Sequence, residues 1–125
     1  MRHTTRLFAL LALALAAPAL AWKGSMAAGV RPIAEVRQKA ESGDFVTVEG
    51  KITDVGTASG SRYVVTLEDG SGSVLVRVPE YLLRQLNDGR APEKGRHVRV
   101  SGQWGHAYLD QDVWGIEASN AERVE

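Results

Sequence analysis

The sequence predicts a mainly β domain: a five-stranded Greek-key barrel with one helix between strands three and four and a short helix ahead of strand one. Two observations lead to this prediction. Five short segments alternate apolar and polar residues with the period of two that is typical of strands. Before the first segment, and again between the third and the fourth, apolar residues recur at helical spacing instead.

The first 21 residues have the pattern of a secretory signal peptide. Arg2 and Arg6 give a positive start, residues 7–17 are apolar, and residues 19–21 form an Ala-x-Ala cleavage signal. The alternative is an uncleaved membrane anchor, but the apolar run is shorter than the ~18 residues that span a bilayer. We therefore predict export and cleavage after Ala21, with the mature protein periplasmic or secreted.

Composition limits the classes of function open to the mature chain. Cleavage leaves 104 of the 125 residues, enough for one domain. Loss of Arg2 and Arg6 leaves 13 basic residues against 15 acidic ones, and a net charge of −2 gives no long-range attraction to nucleic acid or anionic lipid. The absence of cysteine from the sequence excludes a disulfide framework, a thiolate nucleophile, a thiolate metal site and a lipoprotein anchor.

Residues 22–31 show no periodicity and are predicted to be a flexible leader, followed by the folded domain over residues 32–125. The domain begins with a helix, because Ile33, Val36 and Ala40 share one helical face and Pro32 suits a first turn. Ser42-Gly43 is a stop signal for this helix.

The first three strands are predicted over residues 45–55, 62–69 and 73–78. In strand one, Val46, Val48 and Ile52 face inward. Strands two and three form an antiparallel hairpin around the polar turn Gly70-Ser71-Gly72, and Pro79 ends strand three.

A second helix follows, in which Leu82, Leu83 and Leu86 share a face and residues 87–89 form the end. Strands four and five are predicted over residues 97–104 and 113–119. Their inward residues are predicted to be Val98, Val100, Gly102, Trp104, Trp114, Ile116 and Ala118.

Five strands with a helix between the third and the fourth form the layout of an OB-fold, a partly open Greek-key barrel. The segments FVTVEGKI from Phe45, VVTLEDGSGSVLV from Val64 and HVRVSG from His97 resemble the OB-fold group that includes anticodon-binding-type nucleic-acid domains. With the signal peptide and leading helix, the chain is most similar to the exported bacterial OB-fold (BOF) stress-protein family. The resemblance covers residues 33–124 and implies a stress-response role.

The resemblance also implies a ligand site on the outer face of strands two and three, flanked by the loops before strand two and after strand four. Alternation points Tyr63 inward and leaves Val64 and Leu75 outside, with two arginines and no aromatic ring on this face. The residues predicted to contact a ligand are Lys51, Arg62, Thr66, Arg77, Arg99, Trp104 and Tyr108.

The predicted function is an exported, non-enzymatic binding module for a protein, peptide or small ligand in the periplasm. The alternative is a single-stranded nucleic-acid (oligonucleotide) binder that uses Arg62, Arg77 and Arg99 for charge. In that alternative, Tyr108 and the two tryptophans would supply stacking rings from the rim. In the alternating pattern, Trp104 and Trp114 fall on the same side of their strands as the inward apolar residues, which favours their burial instead.

No catalytic residue, metal site or cofactor is predicted. His97 and His106 are isolated, and Asp110 with Asp112 forms a polar turn without the other ligands of a calcium site. A third hypothesis is a metal- or haem-linked accessory protein, since exported haem-carrying OB-folds resemble this chain in fold. Those proteins hold haem through a C-terminal histidine and tyrosine motif, and this chain has no histidine after His106.

Overall fold

The computed structural model describes residues 29–58, 62–105 and 113–124. Their elements are α1 (Ile33–Lys39), β1 (Phe45–Ala58), β2 (Arg62–Glu68), β3 (Ser73–Val78), a 3₁₀ turn (Glu80–Leu82), α2 (Leu83–Asn87), β4 (His97–Gly105) and β5 (Gly115–Arg123). Several predictions fall outside the described residues: the signal peptide over residues 1–21, residues 22–28 of the leader, His106, Tyr108, Asp110 and Asp112. None of the described helices is long and apolar enough to cross a membrane.

The five strands form a closed barrel in the order β1-β2-β3-β5-β4. Neighbouring strands are antiparallel except β3 and β5, which pair in parallel from Leu75 with Gly115 to Arg77 with Glu117. The predicted five-stranded Greek-key barrel is therefore confirmed. The expectation that it would be partly open is wrong, because the β3–β5 pairing closes it, and such a non-local pairing leaves no trace in local alternation.

The inward faces of the strands and one face of each helix make a single core. Val48, Val76 and Val100 are at most 1% exposed inside the barrel. Ile33 and Val36 of α1 are fully buried against this core. The leucines after β3 are also buried, with at most 6% of each side chain exposed: Leu82, Leu83 and Leu86. The predicted inward parity of the strands and the apolar faces of both helices are confirmed.

Trp114 is the exception, because the prediction that it lies inward in strand five is wrong. The side chain is 42% exposed, and β5 begins only at Gly115. Parity holds only within a strand, and Trp114 precedes the first ladder pair of β5. A register shift in the β4–β5 ladder between Ser101 and Gly102 also adds Ala121 to the buried set, which alternation alone does not predict.

The start of α1 is held by the β2–β3 turn, which is 36 residues away in sequence. Pro32 at the N-cap makes no side-chain cap. Instead the Ile33 N–H donates to Asp69 Oδ2 at 2.9 Å, and the Ala34 N–H donates to Ser71 Oγ at 3.1 Å. The other oxygen, Asp69 Oδ1, accepts the Ser71 and Gly72 N–H groups. One carboxylate therefore fixes both the hairpin turn and the helix that packs beside it.

Replacing Asp69 with Ala is expected to lower the free energy of unfolding by about 1–2 kcal/mol at pH 7, the range for a lost helix cap. Burial alone raises the pKa of Asp69, but the Ser71 hydroxyl and the N–H groups of Ile33, Ser71 and Gly72 outweigh it and hold that pKa below its usual range. Chemical denaturation of both proteins measures the difference.

The pH dependence of that difference tests the mechanism. Because the folded pKa is depressed, the stabilisation is present above the unfolded value of ~3.9 and is lost as the pH falls through the folded pKa. The difference between wild type and variant should therefore be smaller near pH 2 than at pH 7. Exposed Glu68, replaced with Ala, is the control and should change stability by less than about 0.5 kcal/mol. An Asp69→Ala effect that does not change with pH would exclude the charged cap.

Candidate ligand-binding face

The outer side of the β2–β3 hairpin carries the predicted ligand face. The ladder pairs Val64 with Arg77 and Thr66 with Leu75, and these side chains are partly exposed. We call this surface, together with the neighbouring outward residue of β5, the hairpin face. It consists of Arg62, Val64, Thr66, Leu75, Arg77 and Glu117.

The turn sequence sets which side chains reach this face. Gly70 has φ +89°, a left-handed conformation that glycine adopts without strain, and the Asp69 N–H donates to the Gly72 carbonyl at 3.3 Å. The turn fixes the register, and a slip of one residue would exchange the two faces of the strand. Tyr63 packs against the core as predicted, so no aromatic side chain of the described residues in β2 or β3 lies on the hairpin face.

A carboxylate lies within the hairpin face beside its arginines. Arg77 Nε is 3.5 Å from Glu117 Oε2, a distance that fits an ion pair and is too long for a strong hydrogen bond. Both side chains are largely covered, at 16% and 25% exposure. Burial raises the pKa of Glu117, and the positive charge of Arg62 partly offsets this. The face therefore holds one carboxylate beside its two arginines, and this carboxylate reduces the positive charge of the face.

A pocket of about 320 Å³ opens at one end of the hairpin face. It lies where the end of β1 and the start of β2 meet the helical segment after β3. Its lining residues are Thr57, Ala58, Arg62, Tyr63, Glu80, Leu83 and Gly89. The pocket adds a mixed polar and apolar cavity next to Arg62.

Two other predicted residues that the structure describes, Lys51 and Arg99, lie away from this face. Lys51 lies on β1, where the ladders place it opposite Glu68 and His97. Arg99 lies on β4 and pairs with Glu49 at 3.6 Å and with Glu122 at 3.2 Å. Of the predicted residues that the structure describes, Arg62, Thr66 and Arg77 come together on the hairpin face, and their role in binding remains a prediction.

The two tryptophans form a separate feature at the other end of the barrel. Trp104 is 3% exposed, and the ring of Trp114 stacks on it with centroids 5.6 Å apart and planes 24° apart. Trp104 is therefore a core residue, and the exposed ring beside it is Trp114. The predicted burial of Trp104 is confirmed and that of Trp114 is wrong, so the accessible ring of this pair is Trp114.

Sequence reasoning missed Glu117 and Arg37. Glu117 lies between inward Ile116 and Ala118, so its outward direction could be read from alternation, but its contact with Arg77 depends on the parallel β3–β5 pairing. Arg37 is on α1, and its approach to Trp104 requires the packing of that helix on the barrel. Among the described residues, no three His, Asp or Glu side chains are grouped so that they could hold a metal ion.

No protein-family model and no curated protein matches this chain. Hypothetical protein ygiW from E. coli is similar over 77% of this chain and 95% of its own, with a TM-score of 0.58 and 16% identity. The S. pombe Stn1-ten1 complex matches with a TM-score of 0.52 and 18% identity, over 65% of this chain and 58% of the matched one. Asparaginyl-tRNA synthetase from Pyrococcus horikoshii matches with a TM-score of 0.52 and 14% identity, over 67% of this chain and 20% of that one.

The closed five-stranded barrel and these matches establish that the chain is an OB-fold domain. The predicted resemblance to the OB-fold group is confirmed at the level of the fold. Similarity to ygiW extends over nearly the whole of that protein, whereas the synthetase match covers one part of a much longer chain. At identities below 20%, these similarities establish the architecture of the chain and do not identify its ligand.

Proposed function

We propose that this chain is an exported, non-enzymatic binding module whose hairpin face takes a protein, peptide or small ligand in the periplasm. The observation that carries the proposal is the Glu117 carboxylate beside Arg77 within the face. A phosphate backbone needs unopposed cations, and this carboxylate opposes them. A partner with its own mixed charges and apolar groups suits the face better.

The remaining surface supports side-chain recognition. Val64 and Leu75 supply partly exposed apolar area between the charged residues. Each of β1 to β5 pairs with two neighbouring strands in the closed barrel, so we expect side-chain contacts, and not strand addition, to bind a peptide here. The adjoining pocket of about 320 Å³ is near the lower end of the ~300–1,000 Å³ range of ligand sites, and it suits a single large side chain or small molecule.

Site-specific photo-crosslinking tests this proposal in cells. A photoreactive amino acid at Leu75 is expected to give a discrete adduct, because that side chain is partly exposed on the hairpin face. The matched control is the same amino acid at Glu122, which is exposed on β5 away from the face. Failure to obtain an adduct at Leu75, or equal adducts at both positions, would count against the hairpin face as the site.

Single-stranded nucleic-acid binding is the second candidate, and one observation favours it. The side chain of Trp114 is 42% exposed, and Arg37 lines the same pocket. A stacking ring beside a cation is the usual element of oligonucleotide binding.

Fluorescence anisotropy with a labelled oligonucleotide separates the two functions. We expect weak binding at physiological salt, with no base preference and a log–log salt slope near −2 from about three phosphate contacts. Glu117→Gln should strengthen such binding, because it removes the opposing charge. Tight binding that Trp114→Ala weakens by more than ~1 kcal/mol would instead establish the nucleic-acid function.

Export is a separate part of the proposal and has its own measurement. The signal sequence leads us to expect that the exported protein starts at or near Trp22. Intact-mass spectrometry of the protein from its producing cells determines this directly. A mass that retains residues 1–21 would favour the membrane-anchor alternative.

A further inference from the structure

We infer that the pocket formed by Arg37, Ala40, Trp104 and Trp114 is a second binding site, for a small molecule that carries one flat ring and an acidic group. We call it the tryptophan pocket. It goes beyond the proposed function, since it lies at the α1 end of the barrel and shares no residue with the hairpin face.

Three separate parts of the chain build the tryptophan pocket. Arg37 and Ala40 come from the last turn and the C-cap of α1, Trp104 from the end of β4, and Trp114 from the residue before β5. The pocket therefore exists only when α1 is seated on the barrel. Its volume is about 210 Å³, below the ~300–1,000 Å³ of sites for larger ligands. That volume fits one ring with its substituent.

The aromatic wall of the pocket is held by contacts within the protein itself. The backbone N–H of Trp104 donates to the Asp44 carbonyl at 2.8 Å, and the backbone N–H of Gly43 donates to the Trp104 carbonyl at 2.7 Å. The buried Trp104 ring then supports Trp114 in a stacked pair. Trp114 is 42% exposed in this pair, and covering exposed aromatic surface with a further ring is favourable. This preorganisation favours a flat ligand over a flexible one.

The charge of the pocket comes from a guanidinium that is positioned but not neutralised by the described residues. Arg37 Nη1 donates to the Ser73 carbonyl at 3.0 Å, which anchors the side chain. Within residues 29–58, 62–105 and 113–124, no carboxylate forms an ion pair with it, and neighbouring Glu35 pairs with Arg31 and Lys39 instead. A guanidinium has five N–H donors, so donors remain for a carboxylate or phosphate. The two tryptophan rings favour a ligand with a flat ring, and the arginine favours a ligand with an acidic group.

Titrations followed by ¹H–¹⁵N NMR test the inference, because each of the three tryptophans in the sequence has its own indole N–H signal. The probes are phenylacetate and phenyl phosphate, which distinguish a carboxylate from a phosphate preference. Neutral 2-phenylacetamide is the control. Ligands with about ten non-hydrogen atoms should bind with a Kd of the order of 1 mM. We expect the Trp104 and Trp114 signals to shift and the Trp22 signal to stay.

Variants assign the binding to the pocket. Arg37→Gln should weaken binding of the preferred acid about tenfold and remove its preference over the amide, whereas Arg37→Lys should keep most of that preference. Trp114→Leu should abolish the signal changes at Trp104. Arg84→Gln on α2 is the matched control and should change nothing, since Arg84 is an exposed arginine on the other helix.

Two results would overturn the inference. One is binding of the amide as tightly as both acids to the wild-type protein, a comparison that needs no variant and is unaffected by folding. The other is an absence of tryptophan shifts at probe concentrations of several times the expected Kd. The crosslinking test of the hairpin face uses different residues and a different measurement. Neither of these two results would therefore decide whether the proposed function is correct.

Discussion

Replacing Val100 with Asp is expected to lower the free energy of unfolding by about 4 kcal/mol or more, a large part of the ~5–15 kcal/mol that folded domains possess. Val100 is 1% exposed inside the barrel and stands opposite Val48 and Ala121 in the ladders. A carboxylate there has no described polar partner and must either remain charged in an apolar core or take up a proton. Urea denaturation followed by circular dichroism measures the loss, and thermal melting gives a second estimate.

The control is the same substitution one residue earlier. Arg99 points outward, and Arg99→Asp removes its contacts with Glu49 and Glu122 and places three carboxylates together. These groups are exposed and screened by salt, so the cost should be about 1 kcal/mol. Equal losses in the two variants would mean that the side-chain parity of β4 is wrong. The assignment of every outward residue built on that parity would then fall with it.

Replacing Gly102 with Ala is expected to cost about 3 kcal/mol or more, although only one methyl group is added. A Cβ at this position would overlap the Glu117 carbonyl oxygen and lie 2.7 Å from the Glu117 carbonyl carbon and 2.9 Å from Ala118 Cα. These are backbone atoms of β5, so no side-chain rotation can relieve the contact. The two strands would have to separate at their register shift. Denaturation curves measure the cost, and the Arg77 and Glu117 signals in NMR spectra report any displacement of the hairpin face.

Gly56→Ala supplies the matched comparison, since Gly56 is also a strand glycine. Its Cβ would point to the exposed side of β1, where the nearest heavy atom is the Val64 carbonyl oxygen at 3.7 Å. We expect a change within about 0.5 kcal/mol, or a small gain from reduced freedom of the unfolded chain. Comparable destabilisation by both alanines would show that the cost reflects glycine loss in strands generally, and not the close approach of β4 and β5.

Much of the fold could be predicted because short-range patterns determine it. Alternation identified all five strands and the inward valines, and helical spacing identified both apolar helix faces. The end of strand five was underestimated, since the prediction stopped at residue 119 while β5 continues to Arg123. A register shift breaks the period of two at that point, and local periodicity cannot continue through such a break.

Less of the candidate sites could be predicted, because they depend on which distant residues meet. The hairpin face contains Arg62, Thr66 and Arg77 as the sequence indicated. The carboxylate within it was not predicted, since Glu117 comes from β5 through a parallel pairing that only the folded barrel contains. The tryptophan pocket was missed for the same reason, as Arg37 is 67 residues from Trp104 in the chain.

The sequence by itself determined the strands, the helices, the inward faces and the OB-fold layout. These properties follow from alternation, turn residues and helix stop signals over a few residues. Only the tertiary structure decided that the barrel closes, that Arg77 lies against a carboxylate, and that Trp114 stacks outside Trp104. The physical reason is that burial and ion pairing depend on separations in space between residues far apart in the chain, which periodicity along the chain does not record.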